Sequence, residues 1–189
     1  MNENFLYALK QIAPISEESL TELSNHCTNL SFGKDELVLK EHAVCEHIYF
    51  VSKGLVRIYY YKEEKEVSEW FAFENTFCLS IVSYFQKTPS NLMIQCLEDA
   101  EIIFISKAGL DTLRNSNFEI ADFAYRLIAG SLILSQERMA SIQFETALTR
   151  YKNLLKLHKN LLQRIPLNYI ASYLGVSAET LSRIRAQIN

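Results

Sequence analysis

The chain has few of the residues that mark an exported, membrane-bound or metal-stapled protein. Its four cysteines, Cys27, Cys45, Cys78 and Cys96, include no C-x-x-C pair, which argues against a zinc ribbon or a thioredoxin-like redox motif. Scattered thiols fit a reducing compartment, so a cytoplasmic location is expected. The longest stretch without a formal charge, Ile165 to Ala178, is interrupted by Pro166, Asn168, Ser172 and Gly175. A membrane-spanning helix needs ~20 mostly apolar residues. Near the N-terminus only the apolar pentad Phe5 to Leu9 precedes Lys10, short of the ~7 to 15 residue apolar region of a secretory signal. Neither membrane contact nor export is expected.

What is present is an ordinary globular composition: 189 residues, 49% hydrophobic and 22% charged, enough for one good core and a small second domain. The net charge of -3 conceals an asymmetry. From Thr149 to Asn189 there are seven basic residues (Arg150, Lys152, Lys156, Lys159, Arg164, Arg183, Arg185) against the single acid Glu179, +6, which leaves 12 basic and 21 acidic residues, -9, for the rest. An acidic body repels phosphates while a compact basic end attracts them.

Residues 4 to 28 are expected to be helical, with Ser16 as cap and Glu17 and Glu18 in a first turn, and Leu20, Leu23 and Cys27 facing inward. From Leu30 to Ile105 short β-branched and aromatic runs replace the helical pattern: Glu36 to Lys40, His47 to Ser52, Leu55 to Tyr61, Glu66 to Phe73, Leu92 to Leu97 and Glu101 to Ser106. Turn signals at Gly33-Lys34-Asp35 and Lys53-Gly54 separate them, and a jelly roll is the expected closure. After Gly109 the strands stop. Between Asn117 and His158 there is no proline and no glycine but Gly130, so one or two long helices follow. Phe123, Leu127 and Leu134, with Met139 and Ile142, are expected to form a stripe against a second copy. The alternative is packing of that stripe within the chain.

The segment after Pro166 reads as a helix-turn-helix. Pro166 suits a helix start, and Ile170, small Ala171 and Leu174 share one face on which a second helix can cross. Gly175 makes the turn, Val176 plugs it, Ser177 caps the next helix, and Leu181 and Ile184 form its inner face. Glu179 and Arg183 stand one turn apart, about 6 Å along the axis. Arginine can bond guanine O6 and N7 while glutamate accepts from cytosine N4, so the pair suits adjacent G·C pairs in the major groove. Ser177, Thr180, Ser182 and Arg185 are assigned to phosphates, and Lys152, with Lys156 and Lys159 on the same helical face, to sequence-independent attraction.

With β roll, long helix and terminal helix-turn-helix in that order, nearly the whole chain resembles the Crp/Fnr family of regulators. The resemblance rests on Phe32-Gly33-Lys34-Asp35-Glu36-Leu37, Ile48-Tyr49-Phe50-Val51, Lys53-Gly54-Leu55-Val56-Arg57 and Leu97-Glu98-Asp99-Ala100, and more closely on the recognition helix. There the family's Ser-Arg-Glu-Thr-x-x-Arg pattern is similar to Ser177, Glu179, Thr180 and Arg183, with Ala178 replacing the first arginine. The family's cyclic-nucleotide pocket has a Phe-Gly-Glu for the ribose and an Arg-Ser for the cyclic phosphate. Alignment through Phe77 puts Cys78 and Leu79, followed by Ser80, at the first and Ser90 and Asn91 at the second. Both charged anchors are gone, and a phosphate taken out of water without a cation loses its charge-assisted bonds. A different effector, or none, is expected. With only Cys27 in its first 44 residues, the chain lacks the N-terminal cysteine group of the family's iron-sulfur sensors.

The resemblance implies an α+β chain. A cyclic nucleotide-binding-like jelly roll with flanking helices occupies residues 1–116, a long dimerisation helix 117–144, and an all-α helix-turn-helix domain 145–189. The implied partners are double-stranded DNA, a second copy of the chain and, as an open partner, RNA polymerase; the effector is unidentified. The family's β wing is expected to be shortened between Leu162 and Leu167. No catalytic residue, metal or cofactor is assigned. His42, Cys45 and His47 read as structural rather than as a metal site. Two rivals remain: a ligand-sensing or interaction module whose helix-turn-helix does not read DNA, and a metal enzyme on a cupin-like roll.

Overall fold

A computed structural model describes residues 2–158 and 162–188. Asn2 caps α1 (Glu3–Ile12), accepting from the Asn4 amide at 2.9 Å. Ser16 caps α2 (Glu17–Ser24), accepting from the Ser19 amide at 3.2 Å, as its position before two glutamates suggests. Leu20 and Leu23 are buried. Cys27 corrects the helical reading: it opens the strand β1 (Cys27–Phe32) and is only half-buried. Six of the remaining strands are those legible in the sequence or nearly so: β2 (Leu37–Leu39), β3 (His47–Lys53), β4 (Val56–Lys62), β5 (Lys65–Ala72), then β7 (Met93–Cys96) and β8 (Ala100–Ser106), with the short β6 (Phe77–Cys78) and α3 (Ile81–Gln86) between the last two pairs.

The strands make two four-stranded sheets, β1-β8-β3-β6 and β2-β7-β4-β5. In the first, β8 pairs antiparallel with both β1 and β3, placing Phe104 opposite Thr28 and Tyr49. Lys53-Gly54 turns β3 into β4. Gly54 has φ +91°, and a Cβ there would lie 2.8 Å from the Asp99 carbonyl oxygen, so no other residue fits without moving backbone.

The chain clusters into two compact units, Met1–Ile58 with Phe71–Gly130, and Tyr59–Trp70 with Ser131–Asn189. The first unit is cored by aromatic rings: Phe5 lies 5.0 Å from Phe50, Phe50 4.9 Å from Phe77, and Phe77 6.1 Å from Phe123, centroid to centroid. Ile48, Val51, Ile102 and Ile105 are buried beside them. Each such side chain withdrawn from water contributes roughly 1.5–3 kcal/mol.

The helix α4 (Lys107–Leu113) precedes α5 (Phe118–Phe144). Asn117 starts α5 by accepting from the Glu119 amide at 3.0 Å, and its Nδ2 donates to Ser19 and Glu22, both at 2.9 Å. Only Ile120 and Phe123 of α5 are buried. Phe123 therefore leaves the stripe expected to meet a second copy: it is wholly enclosed against Phe77 in the first unit's core. Leu127 is half-buried and Leu134 exposed. Among the described residues no helix is long and apolar enough to cross a membrane.

Candidate nucleic-acid interface

The second unit holds the end of α5, then α6 (Ala147–His158), a 3-10 turn at Leu162–Arg164, α7 (Leu167–Tyr173) and α8 (Ala178–Ala186). The 3-10 turn occupies the short segment where the wing was expected. Pro166 stands one position earlier than a first helical residue, as the N-cap of α7 with φ -54° and ψ 140°. Its missing N–H costs nothing there. The turn after α7 is left-handed at Gly175, φ +68°, and the Val176 amide returns to the Ala171 carbonyl at 3.0 Å, closing the helix end. Ser177 caps α8, accepting from the Thr180 amide at 3.2 Å. Tyr151, Leu162, Ile165, Ile170, Ala171, Leu174, Leu181 and Ile184 are buried.

At about 100° per residue, Glu179, Ser182 and Arg183 fall opposite Leu181 and Ile184, and all three are exposed. Arg183 Nε reaches the Glu179 main-chain oxygen only at 3.5 Å, a long bond that leaves the rest of its guanidinium fork available. The Glu179 carboxylate is held below its usual range first by the Ser177 hydroxyl and, more weakly, by the Arg183 charge, so it is an acceptor near neutral pH. Thr180 is half-buried and its hydroxyl lies 3.1 Å from that of Ser177, which places it in the cap. Arg185 flanks the inner face and lines a groove with Lys156, Leu155 and Ile188. Lys152 is exposed on α6. Lys159 lies outside the described residues.

Arg150 departs from the sequence reading. Its Nε and one terminal nitrogen donate to the Leu174 carbonyl at 3.1 and 2.8 Å, and the other donates to the Glu145 carbonyl at 2.6 Å. It caps the end of α7 and is not a free phosphate ligand. Arg138 on α5 does related work, donating to the Tyr173 carbonyl at 3.0 Å with its guanidinium 3.8 Å from the Tyr173 ring.

The residues aligned with a cyclic-nucleotide pocket lie together in the first unit. Cys78, Leu79, Ser80 and Ser90 are buried, Phe77 is half-buried and Asn91 is exposed. The Ser80 and Ser90 hydroxyls are hydrogen-bonded at 2.9 Å, and Ser90 Oγ accepts from the Leu92 amide at 3.0 Å. Ser83 accepts from the Cys45 amide at 2.9 Å and donates to the Thr88 carbonyl at 2.6 Å. These hydroxyls satisfy one another or the main chain, and no guanidinium stands at the aligned positions. Burial pushes the thiols of Cys45 and Cys78 upward, and that of Cys96 to about 12, so they are neutral and poor nucleophiles. Of the three residues weighed as a metal site, Cys45 is buried with its thiol on the His47 carbonyl at 3.3 Å, and burial lowers the His47 pKa.

Comparison with known proteins agrees with this geometry. Residues 29–117 match the cyclic nucleotide-binding domain. No curated protein sequence is significantly similar to the chain. Among solved structures, FixK2 from Bradyrhizobium japonicum superposes with a TM-score of 0.74 at 22% identity, over 86% of this chain and 84% of that one. The c-di-GMP responsive global regulator CLP of Xanthomonas campestris gives 0.72 at 13% identity, over 92% and 91%. A variant of CooA from Carboxydothermus hydrogenoformans gives 0.71 at 15% identity, over 100% and 85%. Residues 29–117 are thus similar to a cyclic nucleotide-binding domain, and the chain has the fold of these solved structures.

Proposed function

We propose that the protein is a DNA-binding transcription regulator of the Crp/Fnr type that acts as a homodimer and has lost the charged anchors of the cyclic-nucleotide pocket. The observation that carries the reading is the second unit's helix pair. Its inner side chains are buried while Glu179, Ser182 and Arg183 are exposed on the opposite face of α8, the arrangement a recognition helix needs in the major groove. Ser177, Thr180 and Arg185 beside that face, and Lys152 exposed on α6, are assigned as phosphate contacts.

The second copy is supported by α5. Phe118, Tyr125, Leu132 and Met139 recur at heptad spacing and are 84%, 72%, 58% and 46% exposed, with Ile142 alongside. An apolar line of that period on a long helix is covered by pairing with its own symmetry mate. Two heads then face half-sites about 34 Å apart. Ser80 and Ser90, already hydrogen-bonded to each other, offer a cyclic phosphate no cation.

Selection of random duplexes by the full chain, with and without cyclic AMP, tests both parts. The expected result is one enriched inverted repeat, identical in the two arms. Absence of any enriched sequence refutes the DNA reading, and an enrichment that requires the nucleotide refutes the degenerate pocket.

A further inference from the structure

Among the described residues, Arg138 makes three polar contacts that link the end of α5 to the head. Arg138 immediately precedes Met139 of the exposed apolar line, yet its guanidinium turns to the head. It donates to the Tyr173 carbonyl at 3.0 Å and to the Ser68 carbonyl at 3.4 Å, and stacks on the Tyr173 ring at 3.8 Å. Ser68, on β5 and wholly buried, donates its amide to the Ser172 hydroxyl at 3.0 Å, and the two hydroxyls are 2.9 Å apart. All these residues belong to the second unit. None is among the buried apolar side chains of that unit, Tyr151, Leu162, Ile165, Ile170, Ala171, Leu174, Leu181 and Ile184. The contacts fall instead on the rim and last carbonyls of α7. Arg150 caps the neighbouring Leu174 carbonyl from α6, so the turn is held by a second arginine when Arg138 is removed.

We infer that Arg138, with the Ser68–Ser172 pair, is a positioning brace that sets the angle between the pairing helix and the reading head, and thereby the operator spacing a dimer accepts. The inference rests on the proposed reading of the chain as a dimeric DNA binder. A head locked to the pairing helix holds its recognition helix at one distance from its mate, so duplexes with the wrong half-site separation are rejected. A head held only by its connection to α6 samples several angles. It accepts several separations and loses affinity at the best one, because ordering it then opposes binding. The side chains that meet base edges are untouched, so half-site sequence preference stays as it was.

The test is competitive selection from a library that keeps two copies of the half-site enriched by the wild type and varies the spacer between them by single base pairs. Wild type is expected to select one spacing. Arg138→Ala is expected to spread over neighbouring spacings and to bind the best one about tenfold more weakly, with the same half-site bases in a parallel random-duplex selection. Arg138→Lys, which can reach one carbonyl but cannot stack as a planar fork, is expected to fall between them. Ser172→Ala, which leaves the apolar core intact, is expected to broaden spacing in the same direction and keeps the test independent of how Arg138→Ala folds. A single unchanged spacing in Arg138→Ala and Ser172→Ala overturns the brace while leaving DNA binding standing. Failure of the wild type to select any duplex overturns both.

Discussion

Each of the two units of this chain is stabilised internally by a different kind of contact. In the first, rings of Phe5, Phe50, Phe77 and Phe123 sit in mutual contact beneath a paired sheet, and position follows from apolar burial, which is non-directional and large. In the second, the α7–α8 pair has a small core, and arginines 138 and 150 donate to main-chain carbonyls at the end of α7. Apolar cores resist change and then fail as a whole. Polar braces contribute about a kilocalorie per mole each and can be altered without unfolding what they hold.

The comparison breaks most readily at Phe50, which is completely buried between two other rings. Phe50→Ala is expected to destabilise the protein by about 3–5 kcal/mol, read as a fall in the urea midpoint. A loss under about 1 kcal/mol contradicts an aromatic core. Gly54→Ala comes next. Left-handed backbone at φ +91° and a Cβ 2.8 Å from the Asp99 oxygen are expected to cost about 1–3 kcal/mol, seen as a lower midpoint of thermal unfolding followed by circular dichroism.

In the second unit the same assay is expected to register little. Glu179→Ala leaves stability within about 0.5 kcal/mol but relaxes base preference at one position per half-site by about 1–3 kcal/mol. Lys152→Ala weakens binding to all sequences similarly and lowers the salt slope by about one. Parallel titrations of matched and mismatched duplexes separate the two, and identical behaviour contradicts the assigned roles.

The smallest effect is a pH dependence that joins α2 to the start of α5. Glu119 accepts from the Ser16 hydroxyl at 2.6 Å and from its amide at 2.8 Å, and these bonds hold its pKa below the ordinary 4.5. A carboxyl depressed by folding stabilises the native state fully above 4.5, and that contribution is lost as pH falls through the lower folded value. Urea midpoints measured between about pH 6 and pH 3 should show a steeper acid decline for wild type than for Glu119→Gln. Parallel curves contradict the bond.

Much of this was legible in the sequence, for reasons that differ by element. The turn between α7 and α8 was readable at Gly175, Ser177, Leu181 and Ile184, because a left-handed turn, a cap and a 3.6-residue apolar period are local requirements. Strand β1 was not. Thr28, Asn29, Leu30 and Ser31 are all exposed, so no alternation marks them, and the segment is a strand because it pairs with Ala100–Ser106. Phe123 was read onto the exposed stripe because periodicity cannot say which of two faces a helix buries. Its ring is enclosed by Phe77, distant in sequence. Arg150 was counted with the phosphate-attracting charges, since nothing local announces that a guanidinium will be used on carbonyls. Arg138 and Ser68 carried no signal, because their roles are set by contacts with Tyr173 and Ser172 far along the chain.

The central claim is that the exposed face of α8 binds duplex DNA. It is tested most directly by fluorescence anisotropy of the full chain with its selected duplex across a salt series. The account predicts tight binding whose logarithm falls linearly with the logarithm of salt, as phosphate neutralisation requires, and which collapses to the level of a scrambled duplex in a Glu179→Ala, Arg183→Ala double variant. Equal affinity of wild type and double variant for both duplexes, or no binding even in dilute salt, contradicts it.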